Sequence, residues 1–258
     1  MTVKKESHMV VKSNVLIDSR YKLTLSEMKL ALLIISKVSL KDKDFKTYKI
    51  HMKDFIELLE SKRSGMYTQS RDIIKSLLSK VLEIPTDYGC LQVAFLSSAK
   101  HFRNRGYVDV RFDPELKPYL IQLKQKYTRY DIANVLQCKS VYSVRMYEIL
   151  KSFEGLSTRT IRVEDLRRML ACEDLYKRFF DFERGVIKTA KKELKQHSDI
   201  YFNYETTKQG RYITKITFKI LKKKQRRLFD GSPYPSAEKA LEDAKKVKTI
   251  PYDQWVSS

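Results

Sequence analysis

Residues 140–153 read SVYSVRMYEILKSF. Wound as an α-helix, they place Tyr142, Met146, Ile149, Leu150 and Phe153 on one apolar face, at spacings of four, three, one and three. Arg145 and Glu148 fall together on a flank. Taken alone this is an ordinary core helix with an ion pair, and its weight comes from the segments next to it in the chain. TIRVEDLRRML (160–170) reads as a short strand and a second helix, and FERGVIKTAKKELKQ (182–196) as a third. IYFNY (200–204) and RYITKITFKI (211–220) then make a hairpin around the basic turn ETTKQG. Helix, helix, helix, hairpin is the order of a winged helix-turn-helix.

The first half of the chain carries the same order. Thr24 and Glu27 fit a capping box opening the helix LTLSEMKLALLIISKV (23–38). A strand YKI (48–50) and a helix MKDFIELLE (52–60) come next, then the helical pattern SGMYTQSRDIIKSLLSKVLEI (64–84). Two strand-like runs, LQVAF (91–95) and YVDVRF (107–112), flank the basic stretch SSAKHFRNRG. A shift of 111 residues lays Ile50, Met52, Asp54, Phe55, Leu58 and Leu59 on Ile161, Val163, Asp165, Leu166, Met169 and Leu170. A shift of 113 lays Arg71, Ile73, Ile74, Lys75 and Ser76 on Arg184, Val186, Ile187, Lys188 and Thr189. Two such alignments in one order point to a repeated structural unit.

The expected architecture is therefore α+β: two tandem winged helix-turn-helix domains, at 10–115 and 140–221, joined by a helical bridge at 116–139. Leu116, Leu120, Leu123 and Tyr127 give the bridge its helical spacing. Beyond the second domain, residues 222–258 form a tail that opens on KKKQRR and DGSPYPS, with one short helix expected at 236–247.

Composition points toward a polyanion. Lys+Arg number 52 against 31 Asp+Glu, a formal net charge of +21, which favours nucleic acid first and an acidic membrane second. Hydrophobic residues, at 42%, suffice for a core. Cys90, Cys138 and Cys172 lie far apart without a CxxC pair and read as buried thiols of a reducing compartment. The start lacks the apolar core of a signal peptide, and the longest apolar run, Leu30 to Ile35, is too short to cross a bilayer. A cytoplasmic protein without a membrane partner is expected.

The third helix of each repeat is the candidate to enter a DNA groove. On the second one, Val186, Ile187, Ala190 and Leu194 face inward, leaving Arg184, Lys188, Lys191 and Lys195 as an outward stripe without an acid among them. Lys192 adjoins that stripe, and Lys208 and Arg211 sit on the hairpin turn. The equivalent positions of the first repeat are Arg71, Lys75, Leu78 and Leu82, so its basic stripe stops halfway. Its contacts are expected from Tyr67, Thr68 and Gln69 near the helix start, and from Lys100, Arg103 and Arg105 on the wing. Its exposed leucines would pack on a partner or on the bridge. The second domain should thus supply most of the affinity, the first orientation and protein contacts.

Two segments also resemble a known family. VVKSNVLIDSRYKLTLSEMKL (10–30) is similar to the opening of the Rep_3 superfamily of plasmid replication initiators. The family's Ser-x-Tyr-Ser-x-Arg-hydrophobic-Tyr-Glu segment is matched by Ser140, Tyr142, Ser143, Arg145, Met146, Tyr147 and Glu148. The resemblance covers about residues 10–220. It implies monomers that bind repeated origin sequences (iterons), help to open the origin and recruit the host helicase alongside host initiator proteins. It further implies dimers, formed through the first winged helix, that bind an operator inverted repeat and repress the initiator's own gene. By the same resemblance, Phe182 to Gln196 reads bases while the first-domain helix and wings contact the backbone. Arg145 is expected to be structural, pairing with Glu148 or an acid of the bridge.

Two other readings stay open. A repressor with this fold and no origin role would carry the same basic stripes. A nicking enzyme would need chemistry that the chain does not display: it has no GxxxxGK[ST] loop, no His-x-His pair and no cofactor motif. In the tail, Gln225, Leu228 and Phe229 form a Gln-x-x-Leu-Phe segment that resembles the peptide by which bacterial proteins dock on the polymerase sliding clamp.

Overall fold

Before the first expected helix, a computed structural model shows three short elements: β1 (Met9–Ser13), α1 (Asn14–Asp18) and β2 (Arg20–Tyr21). The structure describes residues 8–39, 41–59, 66–102, 105–123 and 126–223; the tail motif at Gln225, Leu228 and Phe229, and the helix expected at 236–247, lie outside the described residues. Next comes α2 (Leu25–Ile35), whose capping box forms as its residues require. Thr24 Oγ1 accepts from the Glu27 amide, and the Glu27 carboxylate accepts from the Thr24 amide at 2.7 Å. Replacing Thr24 with Ala should cost about 1 kcal/mol in chemical denaturation.

The first winged helix continues with β3 (Tyr48–His51), α3 (Met52–Leu58) and α4 (Met66–Leu78). Four strands come after it: β4 (Val81–Thr86), β5 (Gly89–Ala94), β6 (Leu96–His101) and β7 (Tyr107–Phe112). A 3-10 turn at Pro114–Leu116 leads to α5 (Lys117–Leu120), β8 (Tyr127–Asp131) and α6 (Ala133–Leu136). The second winged helix comprises α7 (Val141–Lys151), β9 (Thr158–Arg162) and α8 (Val163–Met169). Its third helix begins as α9 (Phe179–Phe182), widens into a π-turn at Glu183–Lys188 and ends as α10 (Thr189–His197). The long hairpin β10 (Ile200–Gln209) and β11 (Tyr212–Lys222) closes it.

The internal repeat is borne out in the topology. The first domain has the antiparallel sheet β3–β7–β6 and the second has β9–β11–β10, the same order of corresponding strands. Shifting β3 and α3 by 111 residues lands on β9 and α8, and shifting Met66 by 113 lands on Phe179, where α9 begins.

Four expectations need correction. The stretch 116–139 is not a helical bridge. Leu116 is buried in the 3-10 turn and Leu120 in the short α5, and the chain then extends as β8, which pairs antiparallel with β1 (Val10 opposite Tyr130, Lys12 opposite Thr128). Within β8, buried Thr128 and Tyr130 alternate with exposed Tyr127 and Arg129, a strand period that outweighs the sparse leucine spacing. LQVAF and YVDVRF do not pair with each other: β5 pairs with β4, and the wing is β6 with β7, so SSAKH belongs to a strand. Leu82 is not on a helix at all but buried in β4, and Leu78 is half-buried, so no exposed leucine row exists there. Cys138 and Cys172 are buried as expected, but Cys90 is exposed.

A buried polar cluster joins the two domains. Glu148 of α7 pairs with Lys12 of β1 at 2.6 Å and with Arg145 at 3.1 Å, and accepts from the Tyr130 hydroxyl at 2.5 Å. Arg145 also donates to the carbonyls of Ile17 (2.8 Å), Ser19 (3.0 Å) and Met169 (3.0 Å) and to the Tyr21 hydroxyl, its guanidinium stacked 4.0 Å from that ring. Nearby, Arg159 reaches Asp18 at 2.6 Å and Arg20 reaches Glu173 at 2.8 Å, so ions cross the joint in both directions. Arg145 is structural, as its sequence context predicted.

Candidate nucleic-acid interface

In the second domain, Phe182, Val186, Ile187, Ala190 and Leu194 are all fully buried. The opposite side of the same helix exposes Arg184, Lys188, Lys192 and Lys195. Lys191 departs from the expected stripe. It is half-buried, with its ammonium 5.6 Å from the ring of Tyr204 in β10.

Acids do accompany the row, contrary to the sequence reading. Arg184 lies 3.4 Å from Asp181, and Lys188 lies 2.9 Å from Glu183. The hydrogen bond from Lys188 holds the Glu183 carboxyl below its usual range against the opposing effect of burial, and Tyr204 adds a second bond at 2.8 Å. Burial and Glu183 together push the Tyr204 phenol up. These exposed pairs are weak in water. They lower the positive potential of the free helix while leaving both cations exposed.

The hairpin β10–β11 turns at Gly210, whose φ of +59° suits glycine. Lys208 and Arg211 stand exposed beside this turn, with Tyr212, 78% exposed, next to them. The third helix and the hairpin thus present two basic elements from one domain.

In the first domain, Thr68, Gln69, Arg71 and Lys75 are exposed along α4, and Tyr67 lies in its first turn. Arg103 falls outside the described residues. A cleft of about 440 Å³ opens between the start of α4 and the wing, lined by Thr68, Arg71, His101, Phe102, Arg105 and Tyr107 among others. Burial, then the neighbouring Arg71 charge, push the His101 pKa down. The exposed Lys100 ammonium is 5.3 Å from the Phe102 ring, and Lys49 is 4.3 Å from the Tyr107 ring. The structure thus gathers Thr68, Arg71 and Arg105 into one cleft, while Lys75 lies further along α4 and Lys100 on β6.

Three features escaped the sequence reading. Lys49 sits in a strand far from both helix and wing in sequence, and only the β3–β7 pairing brings it to Tyr107. Phe180 is 60% exposed just upstream of the residue at which the helix was expected to begin. The π-turn has no periodicity signature of its own; the straight series Phe182, Val186, Ala190 and Leu194 was its one trace.

Fold and surface together define a tandem winged-helix protein with a basic third helix and a basic wing in each half. Residues 9–151 match the family model described as Initiator Replication protein, WH1, and residues 162–220 match Initiator Rep protein, WH2. The chain belongs to this family, the Rep_3 plasmid replication initiators. A replication initiation protein of Escherichia coli is 26% identical over 222 residues, covering 82% of this chain and 69% of the relative. Among solved structures, the Pi initiator protein in complex with iteron DNA has the same fold, with a TM-score of 0.71 at 19% identity over 86% of this chain and 100% of that one.

Proposed function

We propose that the protein is a sequence-specific double-stranded DNA-binding initiator that occupies origin iterons as a monomer. The observation that carries this reading is the row Arg184, Lys188, Lys192 and Lys195, exposed opposite a fully buried apolar face and flanked by the basic hairpin. A major groove accepts such a helix, and a wing reaches the neighbouring phosphates. The similarity in fold to an initiator solved with iteron DNA supports it. In this reading Lys191, Lys208, Arg211, Thr68, Gln69, Arg71, Lys75, Lys100 and Arg105 contact the backbone, and Tyr67 and Arg103 are further candidates from the sequence.

The further steps rest on the family resemblance: origin opening, recruitment of the host helicase and initiator proteins, and repression of its own gene by a dimer joined through the first winged helix. These place the protein in the bacterial cytoplasm with its plasmid. A footprint on the DNA flanking the gene tests the core of the proposal. Protected direct repeats beside an AT-rich stretch support initiation. A lone protected inverted repeat in a promoter would make the protein a repressor, and no protection would remove the DNA reading. Clamp docking through Gln225, Leu228 and Phe229 is tested separately, by titrating a 222–233 peptide against purified clamp; saturable binding is expected, and its absence removes that partner.

A further inference from the structure

The π-turn changes which side chains share a line. An α-helix turns about 100° per residue, so a series spaced by four drifts about 40° per step and about 120° over twelve residues. Yet Phe182, Val186, Ala190 and Leu194 all keep to the buried side. An i→i+5 turn inserts one extra residue and takes back about 100° of that drift. The same correction acts on the outer side, where Phe180, Arg184, Lys188 and Lys192 are all exposed. Without the π-turn, α9 would be rotated relative to α10, and Phe180 would leave the row.

Side chains brace the turn from both flanks. Glu183 and Lys188 pair at 2.9 Å across five residues, a separation that faces itself in a π-turn and not in an α-helix. Glu183 is also tied to Tyr204 of the hairpin. Thr189 Oγ1 donates to the Arg184 carbonyl at 3.3 Å, again five residues back. On the other flank the Tyr176 ring packs on Gly185, where a β-carbon would meet the ring at 3.0 Å. The Tyr176 carbonyl is in turn held by Arg167.

We infer that Phe180 is a specificity residue, phased by the π-turn into the DNA-facing row to meet an apolar base edge, the thymine 5-methyl group. The inference rests on the DNA-binding reading above. Phe180 heads the helix, where base contacts of such helices concentrate. Phenylalanine has no hydrogen bond to offer a base, and the methyl group is the apolar mark in the major groove. Arg184 and Lys188 approach the Phe180 ring at 5.6 and 6.0 Å, holding cations beside it for the adjacent phosphates or guanines. Gly185 is a positioning residue, and acts through the turn alone.

The test uses the full chain and a duplex recovered by wild-type selection from a randomised library, with random-sequence duplex as competitor. Replacing one thymine of the site by deoxyuridine, which lacks only the methyl group, should weaken wild-type binding several-fold at one position. Phe180→Ala should lose about tenfold in specific binding, the scale of one mismatched pair, and become indifferent to that deoxyuridine. Phe180→Leu should restore the preference for thymine. Gly185→Ala, which favours the α-helical turn and crowds Tyr176, should likewise make binding indifferent to that deoxyuridine. Phe180→Ala with undiminished thymine preference overturns the inference, as does Gly185→Ala with full selectivity. If the wild-type protein selects no duplex, the DNA-binding reading itself has failed, and this inference with it.

Discussion

Glu148→Ala is expected to lower unfolding free energy by about 3–5 kcal/mol, the cost of leaving buried charge without its partner. Glu148 is fully buried and, among the described residues, is the one carboxylate that pairs with both Lys12 and Arg145, which are themselves nearly inaccessible. Truncation would leave the Lys12 and Arg145 charges without a counter-ion and the Tyr130 hydroxyl without its acceptor, although Arg145 keeps its carbonyl partners and Lys12 keeps Tyr21. Chemical denaturation measures the loss directly, and a change within about 1 kcal/mol of zero would mean that water enters the joint and the cluster is not dry. The effect also has a pH signature. Burial raises the Glu148 pKa, but Lys12 and Arg145 together outweigh it and hold the carboxyl below its ordinary value. Its contribution is therefore complete above the unfolded carboxylate pKa of about 4.3, and is lost as pH falls through the lower folded value. Glu148→Gln, uncharged at every pH, should be less stable at neutrality and show a shallower acid-side decline than wild type.

Arg184→Ala with Lys188→Ala should weaken specific DNA binding by about 2–4 kcal/mol, counting one base-reading and one phosphate contact. The salt dependence should flatten as well, because each phosphate left unneutralised removes roughly 0.9 from the log–log slope. The matched pair in the first domain, Arg71→Ala with Lys75→Ala, should cost about 1 kcal/mol, as backbone contacts alone would. The expected asymmetry has a structural cause: α4 ends at Leu78, shortly after Lys75, whereas the second-domain row continues through Lys192 and Lys195. Titration of one duplex at several salt concentrations reads both quantities. Equal losses from the two pairs would end the case for a dominant second domain.

What the chain makes legible before folding is local and periodic. Val186, Ile187, Ala190 and Leu194 were assigned inward from their spacing, and all four are buried. The box Thr24–Glu27 closed because its two hydrogen bonds involve residues only three apart. The bridge is misread for want of a non-local partner. Nothing near Tyr127–Asp131 announces that its mate is Met9–Ser13, so apolar spacing stood in for pairing and predicted a helix. Leu82 continues the helical spacing of Arg71, Lys75 and Leu78 because the break at Ser79–Lys80 carries neither proline nor glycine. In the interface, the cations of α10 were legible but their phase was not. Lys191 lies on the flank of the buried face and rests against Tyr204, whereas Lys192 points outward.

The pairing of β1 with β8 has a practical corollary for anyone dissecting the molecule. A cut at 139/140 matches the repeat in the sequence, but it does not cut between independent pieces. A C-terminal fragment starting at Ser140 would carry Arg145 and Glu148 without Lys12, Tyr21 or Tyr130, and would bare the flank of α7 that α1 covers. An N-terminal fragment ending at Lys139 would leave Lys12 facing an empty seat. Removing only the first thirteen residues would do comparable harm, since it deletes Lys12 and one of the two strands at the joint. The first strand is a keystone of the second domain's mounting, and fusion partners or trimmed termini placed there will be felt more than a hundred residues away in sequence.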